Sequence, residues 1–278
     1  MTSRLPIAAL VAAAAAFSWP GAARAQVARE LPPELQGVRI EEHLGRKIPL
    51  DLTFRDEEGR EVRLGDFFGH GRPVILTLVY YECPMLCNLV LSGLVQALEE
   101  IDWTPGREFE IVTVSFNPRE TSALARLKKR NYLEAYGRPQ AEKGWHFLTG
   151  EEPAIEKLTQ AVGFGYRWNE ERKEYAHQAA IFLLAPDGKI TRYLYGVLYE
   201  PRTLRLSLVE AAGGRIGSTL DRVVLYCFHY DASEGRYTPV VMNFVRAGAG
   251  LVVVLLALLL GSLWLRERAR RGRASGDV

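Results

Sequence analysis

The amino-acid sequence predicts an α/β fold in which parallel strands alternate with helices. The first observation is an unbroken apolar run at 74–81, which is typical of a strand buried on both faces. The second is a helical pattern from Pro84 to Ile101, opened by its proline. The third is a further strand and helix pair, at 109–115 and 121–136. Because parallel strands are joined by long, usually helical crossovers, this alternation predicts a parallel sheet.

The remaining elements complete one predicted domain over residues 40–212. In chain order they are an N-terminal β-hairpin at 48–54 and 62–64 around the turn 56–59, a strand at 145–148, a helix from 149 or 151 to about 162, an antiparallel hairpin at 178–184 and 189–195, and a closing helix at 201–212. The second hairpin is indicated by Ala-Pro-Asp-Gly at 185–188, a strong turn sequence. A β-α-β unit followed by a hairpin and a helix, with two cysteines at the first strand-to-helix junction, is a thioredoxin-like architecture with an added N-terminal β-hairpin.

The start of the chain has the pattern of a secretory signal peptide at residues 1–25. Arg4 precedes an apolar stretch from Pro6 to Trp19, and Ala-Arg-Ala at 23–25 supplies a small-x-small cleavage site. The apolar core falls short of the about 20 residues that a membrane-spanning helix needs. We therefore expect the mature chain to begin at Gln26.

Near the other end, residues 247–265 form an uncharged apolar segment of 19 residues. Five arginines follow it within the tail 266–278. Apolar length followed by a basic cluster predicts one transmembrane helix with a cytoplasmic tail. We expect an extracytoplasmic domain anchored by its C-terminal end in the cytoplasmic membrane of a bacterial cell envelope, facing the periplasm or the cell exterior.

The charge distribution excludes a nucleic-acid-binding class. The net charge of the whole chain is +2, of which the signal segment contributes +2 and the tail +3. Residues 26–265 therefore carry a net charge of −3. The basic residues are thus explained by targeting and topology, and the membrane is the only partner they imply. With three cysteines in the whole chain, a scaffold held by several disulfides is excluded as well.

Cys83 and Cys87 lie where the first buried strand gives way to a helix, in Cys-Pro-Met-Leu-Cys at 83–87. Pro84 is expected at the first helical position, which places Cys83 at the N-cap. The field of a helix N-terminus lowers the pKa of a thiol and favours the thiolate. A spacing of four residues suits a shared metal at least as well as a disulfide, and two thiolates select soft ions such as Cu(I). We assign Met85, between them, to packing.

Among the five histidines, His177 stands out because it precedes the hairpin strand 178–184. We expect it in a strand-entry loop at a sheet end, where a thioredoxin-like topology brings it over the cysteine pair. Two thiolates and one imidazole would form a copper site.

These motifs resemble the SCO/SenC family over about residues 40–212. The resemblance is carried by Cys-Pro-Met-Leu-Cys at 83–87, Ser-Phe-Asn-Pro-Arg-Glu-Thr at 115–121, and His177 before Ala-Ala-Ile-Phe-Leu-Leu-Ala-Pro-Asp-Gly at 179–188. It implies a thioredoxin-like fold, one copper ion held by Cys83, Cys87 and His177, and assembly of the binuclear copper centre (CuA) of cytochrome c oxidase. The implied partner is the copper-bearing oxidase subunit or another copper protein.

Two features depart from the family pattern. Asn117 and Glu120 replace the usual aspartates, which puts a role for those acids in question. The predicted anchor is C-terminal, whereas family members commonly carry an N-terminal one.

Other functions stay open on the sequence alone. A thiol-disulfide reductase that keeps the oxidase cysteines reduced would use Cys83 and Cys87 as its catalytic redox pair and would not need His177. A peroxidase or a copper sensor fits less well, since no peroxide pocket is evident and the tail is short.

The segment 213–245 docks on the domain or links it to the anchor. If this segment is extended, Cys227 and His229 share one face of it. The two residues form either an auxiliary copper site or part of an aromatic segment that docks on the domain. We favour the docked segment.

Overall fold

The computed structural model describes residues 38–213, together with 228–231, 236–239, 249, 252–256 and 258–262. The strands are β1 (Thr53–Arg55), β2 (Glu61–Arg63), β3 (Val74–Val79), β4 (Glu110–Ser115), β5 (Trp145–Leu148), β6 (Tyr166–Asn169), β7 (Glu174–His177), β8 (Ala180–Leu184), β9 (Ile190–Tyr195), β10 (Phe228–Asp231) and β11 (Arg236–Pro239). The helices are α1 (Leu86–Glu99), α2 (Ser122–Tyr136), α3 (Glu152–Ala161) and α4 (Pro201–Ala211), with short 3₁₀ helices at Leu64–Phe67 and Pro139–Lys143.

A five-stranded sheet in the order β5-β4-β3-β8-β9 forms the centre of the domain. β3 pairs in parallel with β4, and β4 with β5, while β8 runs antiparallel to both β3 and β9. This is the predicted mixture of a β-α-β unit and a hairpin. The carboxyl ends of β3, β4 and β5 and the start of β8 consequently meet at one edge of the sheet.

The central position of β3 follows from its sequence. All six of its residues, Val-Ile-Leu-Thr-Leu-Val, are buried, as an apolar strand between two neighbours requires. Its polar member Thr77 donates a hydrogen bond from Oγ1 to Thr113 Oγ1 at 2.9 Å in β4, and Trp145 Nε1 donates to the same oxygen at 2.9 Å. The buried polar groups are thereby satisfied.

The N-terminal hairpin β1–β2 forms around the predicted turn, although its first strand is Thr53–Arg55 and not 48–54, and it docks on the end of β5. Arg55 and Thr149 exchange both backbone hydrogen bonds, at 2.7 and 2.9 Å. Just beyond β1, the buried Glu57 pairs with Lys129 of α2 and accepts the Phe147 amide N–H at 3.1 Å. One carboxylate therefore ties the hairpin turn to α2 and β5.

The hairpin β6–β7 was not predicted. Its residues alternate aromatic and polar side chains and are only partly buried, so they lack the apolar run by which we recognised the central strands. His177 is the last residue of β7 and pairs with Tyr166. The predicted strand-entry loop for His177 is wrong, since the histidine ends a strand of its own and the loop to β8 is only two residues long.

The predictions for the chain ends fall largely outside the described residues. The signal peptide 1–25 and the tail 266–278 lie wholly outside them, whereas 249, 252–256 and 258–262 of the segment 247–265 are helical. Within the described part of the chain, no helix is both long enough and apolar enough to cross a membrane. Of the segment 213–245, the structure describes residue 213 and the antiparallel strands β10 and β11.

Gly93 of α1 gives a stability prediction. A Cβ at this position would lie 1.8 Å from Val197 O, in the loop between β9 and α4. We expect Gly93→Ala to lower the free energy of unfolding by about 1–3 kcal/mol, because the loop must move away from the helix. Chemical denaturation measures the change, with Gln96→Ala on the exposed face of the same helix as control. An equal effect of both variants would contradict the close approach.

Candidate metal centre

The carboxyl end of β3 carries the candidate site. Residues 80–85 form the loop between β3 and α1, and the loop begins with a turn in which the Cys83 amide N–H donates to Tyr80 O at 3.2 Å. Thr77 pairs with Ile181, so the end of β3 lies beside the start of β8. The sheet therefore brings the cysteine loop to the residues that precede β8.

Cys83 and Cys87 are both buried, 5% and 2% exposed, and their sulfurs are not bonded to each other. The Cys87 amide N–H donates to Cys83 Sγ at 3.2 Å, and the Tyr80 amide N–H donates to Cys87 Sγ at 3.4 Å. Each sulfur thus has a backbone donor that stabilises a thiolate.

The imidazole of His177 completes the cluster. Its Nε2 lies 3.3 Å from Cys87 Sγ, and its Nδ1 lies 3.0 Å from the carbonyl oxygen of Gln178. A carbonyl only accepts, so Nδ1 carries a proton and donates it, which leaves Nε2 as the ring nitrogen that faces the sulfurs. The donor atoms of the three residues all lie within 4.8 Å of one another.

An aromatic cage fixes the imidazole ring. Phe116, Phe164 and Tyr80 surround His177, with ring centroids at 5.2, 5.7 and 6.2 Å. Tyr80 and Phe116 follow the ends of β3 and β4, which explains their presence at this edge. The cage restricts the ring and shields it from solvent.

The two thiols differ in acidity. The hydrogen bond with the Cys87 side chain lowers the pKa of Cys83 far below its ordinary value, outweighing burial, and His177 acts in the same direction. Burial raises the pKa of Cys87, and its interaction with Cys83 raises it further. Of the two, Cys83 is therefore the group that carries the negative charge in the metal-free reduced site.

This asymmetry predicts ordered alkylation of the reduced, metal-free chain. Below the ordinary thiol pKa, a lowered pKa leaves Cys83 as the reactive thiolate, whereas Cys87 stays protonated. We expect iodoacetamide at pH 6–7 to modify Cys83 before Cys87 in a Cys227→Ser background, as mapped by peptide mass spectrometry. First modification of Cys87, or equal rates at both sites, would contradict the assignment.

Two predictions for the cysteine loop are wrong. Helix α1 begins at Leu86 with Met85 as its N-cap, so Pro84 is not the first helical residue and Cys83 lies two residues before the cap. Met85 is 65% exposed and does not fill a gap in the core. Met85 faces solvent, while the cysteines on either side of it are buried.

Sequence reasoning missed the residues that hold this loop. Glu120 accepts the amide N–H groups of Tyr81 and Glu82, and Asn88 donates from Nδ2 to Cys83 O at 2.9 Å. Asn88 Oδ1 in turn accepts from Lys128 at 3.1 Å. One sequence signal could have pointed to Glu120: it is an acidic residue shortly after β4. Because neighbouring parallel strands end at the same edge of the sheet, a residue after β4 lies near the loop that follows β3.

The chemistry of the donor set fits a soft metal. Two sulfurs and one neutral imidazole nitrogen suit Cu(I), whereas Ca²⁺ or Mg²⁺ would require oxygen ligands. The remaining histidines of the described domain make other contacts: His43 Nδ1 lies 2.9 Å from Ala161 O, His70 Nε2 lies 3.3 Å from Asp66 O, and His146 lies beside Phe67. Within the described residues, the cluster of Cys83, Cys87 and His177 is the one that could hold a metal ion.

Comparisons with known proteins give a family match and several similar proteins. Residues 42–208 match the model of the SCO1/SenC family. The chain is 24% identical over 184 residues to the SCO1 protein homolog of Bacillus subtilis (strain 168), covering 63% of this chain and 88% of that protein. A crystal structure of an Aquifex aeolicus VF5 protein aligns with a TM-score of 0.54 and 27% identity, covering 62% of this chain and 96% of the other. The structure of Arabidopsis thaliana ScoI with copper bound aligns with a TM-score of 0.46 and 20% identity, over 58% and 94%.

Proposed function

Because this chain belongs to the SCO1/SenC family, we propose that it is a membrane-anchored extracytoplasmic copper carrier that delivers copper to the CuA centre of cytochrome c oxidase. The observation that carries the proposal is the convergence of Cys83, Cys87 and His177 within 4.8 Å. Family membership confirms the resemblance on which the sequence-based expectation rested.

The proposed ligands are the Sγ atoms of Cys83 and Cys87 and Nε2 of His177. The cluster presents three ligand atoms, which leaves a position at which a group of the acceptor can bind the copper ion before the carrier releases it. Transfer would then proceed by stepwise ligand exchange, without free copper in solution. The hydrogen bond from His177 Nδ1 to Gln178 O keeps Nε2 available as a ligand throughout.

The surface beside the cysteine loop supports approach of another protein. Pro84 and Met85, which lie between the two cysteines, are exposed. A cleft of about 320 Å³ adjoins Pro84, bordered by Tyr80, Arg119 and Trp168. The acceptor would meet the loop from this side.

The membrane anchor is part of the proposal. It rests on the apolar segment 247–265 and the arginines that follow, read with the signal pattern at 1–25. Anchoring would hold the domain beside a membrane-embedded oxidase. Protease treatment of intact spheroplasts is expected to digest the domain and spare a C-terminal epitope, whereas a protected domain would contradict the topology.

A transfer assay tests delivery. The full-length chain in detergent is loaded with Cu(I) and mixed with the copper-free, reduced CuA domain of the oxidase and an excess of a Cu(I) chelator. We expect copper to reach the CuA domain despite the chelator, because ligand exchange avoids release. Copper that appears only in the chelator would contradict direct delivery.

A thiol-disulfide reductase is the second candidate, because the structure holds Cys83 and Cys87 as free thiols with unequal acidity. In this function Cys83 would attack an oxidised cysteine pair of the oxidase and Cys87 would resolve the mixed disulfide. The two functions separate at His177: His177→Ala should leave disulfide reduction intact and remove copper delivery. CuA assembly that persists in His177→Ala but is lost in Cys83→Ser, with disulfide reduction intact in His177→Ala, would favour the reductase.

A further inference from the structure

Helix α1 holds the loop only at Cys83 itself. The Cys87 amide N–H donates to Cys83 Sγ and Asn88 Nδ2 donates to Cys83 O, whereas the N-cap Met85 provides no side-chain hydrogen bond to the first turn. Residues 80–83 also form the turn closed by Tyr80 O. These contacts leave the amide N–H groups of Tyr81 and Glu82, just before Cys83, to be held from elsewhere in the fold.

Glu120 supplies that support with both of its carboxylate oxygens. Oε2 accepts the Tyr81 amide N–H and Oε1 accepts the Glu82 amide N–H, each at 2.8 Å. Ser115 Oγ, at the end of β4, donates to Oε2. The carboxylate thus binds the two peptide groups directly before Cys83 and connects them to the central sheet.

The chemistry of the contact requires a carboxylate of this length. Glu120 is 8% exposed, and among the described residues it forms no ion pair, so backbone amides and one hydroxyl are its partners. Burial raises the pKa of its carboxyl group, against which the Ser115, Tyr81 and Glu82 hydrogen bonds act. Glutamine would turn an N–H group toward one of the two amides, and aspartate would be one methylene too short.

We propose that Glu120 is a positioning residue that sets the place of the Cys83 sulfur for copper binding and for the Cys83–Cys87 redox pair. The copper part of this inference rests on the proposed function. The redox part does not, because it concerns the metal-free chain. With the loop held, the two sulfurs stay in hydrogen-bond contact without a bond between them. A released loop would let Cys83 reach the closer geometry that a disulfide requires and would favour the disulfide.

A matched control exists in Glu57. It is also a buried glutamate that accepts a backbone amide N–H, but its partners are Phe147 and Lys129. Glu57→Gln should therefore destabilise the fold without releasing the cysteine loop. Comparing Glu57→Gln with Glu120→Gln separates a positioning role from a general loss of stability.

The experiment uses the full-length chain in detergent as wild type, Glu120→Gln, Glu120→Asp and Glu57→Gln. Its readouts are Cu(I) affinity, the thiolate-to-copper absorption of the Cu(II) form, the dithiol–disulfide equilibrium of the metal-free chain with glutathione, and the Tm. For Glu120→Gln we expect about 10- to 100-fold weaker copper binding, a shifted absorption band, and a dithiol–disulfide equilibrium moved about tenfold or more toward the disulfide. Glu57→Gln should lower the Tm and leave the other three readouts at wild-type values.

Unchanged affinity, absorption and equilibrium in folded Glu120→Gln would overturn the proposal, as would equal changes in Glu57→Gln. If Glu120→Gln does not fold, Glu120→Asp and Ser115→Ala must show smaller changes of the same kind in copper affinity, absorption and the dithiol–disulfide equilibrium. Wild-type values in both variants would overturn the proposal. If the wild type itself holds no copper, the proposed function fails. The metal-free equilibrium then decides the role of Glu120 by itself.

Discussion

Replacing either Cys83 or Cys87 with serine is expected to abolish tight copper binding by the full-length chain. A serine hydroxyl is a hard and weakly acidic donor, so the site would keep one thiolate and one imidazole for a soft ion. The loss of copper affinity should exceed the roughly 10- to 100-fold loss expected when a residue that hydrogen-bonds a metal ligand is removed. Equilibrium competition with a Cu(I) chelator measures it.

Cys227→Ser provides the matched control, because Cys227 is the chain's third cysteine and lies outside the described residues, two positions before His229 of β10. We expect this variant to keep wild-type copper stoichiometry. A lower stoichiometry would restore the auxiliary copper site that the sequence left open. Copper retained at wild-type affinity in both Cys83→Ser and Cys87→Ser would rule out the proposed centre.

Lys129→Met is expected to lower the free energy of unfolding by about 3–5 kcal/mol. Lys129 and Glu57 are almost fully enclosed, with side chains 11% and 4% exposed, and they pair with each other. Removing the ammonium group leaves the Glu57 charge buried, and the amide of Phe147 is then its main remaining donor. Urea denaturation followed by circular dichroism measures the loss.

The double variant Glu57→Gln/Lys129→Met tests whether the loss comes from the pair. It removes both charges, and glutamine can still accept the Phe147 amide N–H with its carbonyl oxygen. We expect it to be clearly more stable than the sum of the two single variants implies, since the residues are in contact. Strict additivity would show that Lys129 acts by packing alone.

The central sheet was predictable because its residues are apolar in continuous runs. Val74–Val79 and Ala180–Leu184 are buried at every position, so their identity as core strands needs no knowledge of their neighbours. The hairpin β6–β7 could not be recognised in the same way. It packs through aromatic contacts of Phe116 with Tyr166 and Tyr175, which join residues distant in sequence.

For the candidate site, the sequence selected three residues that the structure brings together, but not the side chains that hold the loop around them. The spacing of Cys83 and Cys87 and the place of His177 before β8 were sufficient to select the three. The start of α1 at Leu86 was not predictable from Pro84, because the turn at 80–83 depends on Glu120, 37 residues away from Cys83. Side chains that act across such separations leave no periodic signal.

The most direct test of the account is copper stoichiometry and visible absorption of the full-length chain in detergent, wild type beside His177→Ala. The account predicts one copper per wild-type chain with thiolate-to-copper absorption, and the loss of both in His177→Ala. The same copper content and absorption in the two proteins would show that the imidazole is not a ligand. Little copper in either, with a readily cycled Cys83–Cys87 disulfide, would contradict the carrier and identify a thiol-disulfide reductase.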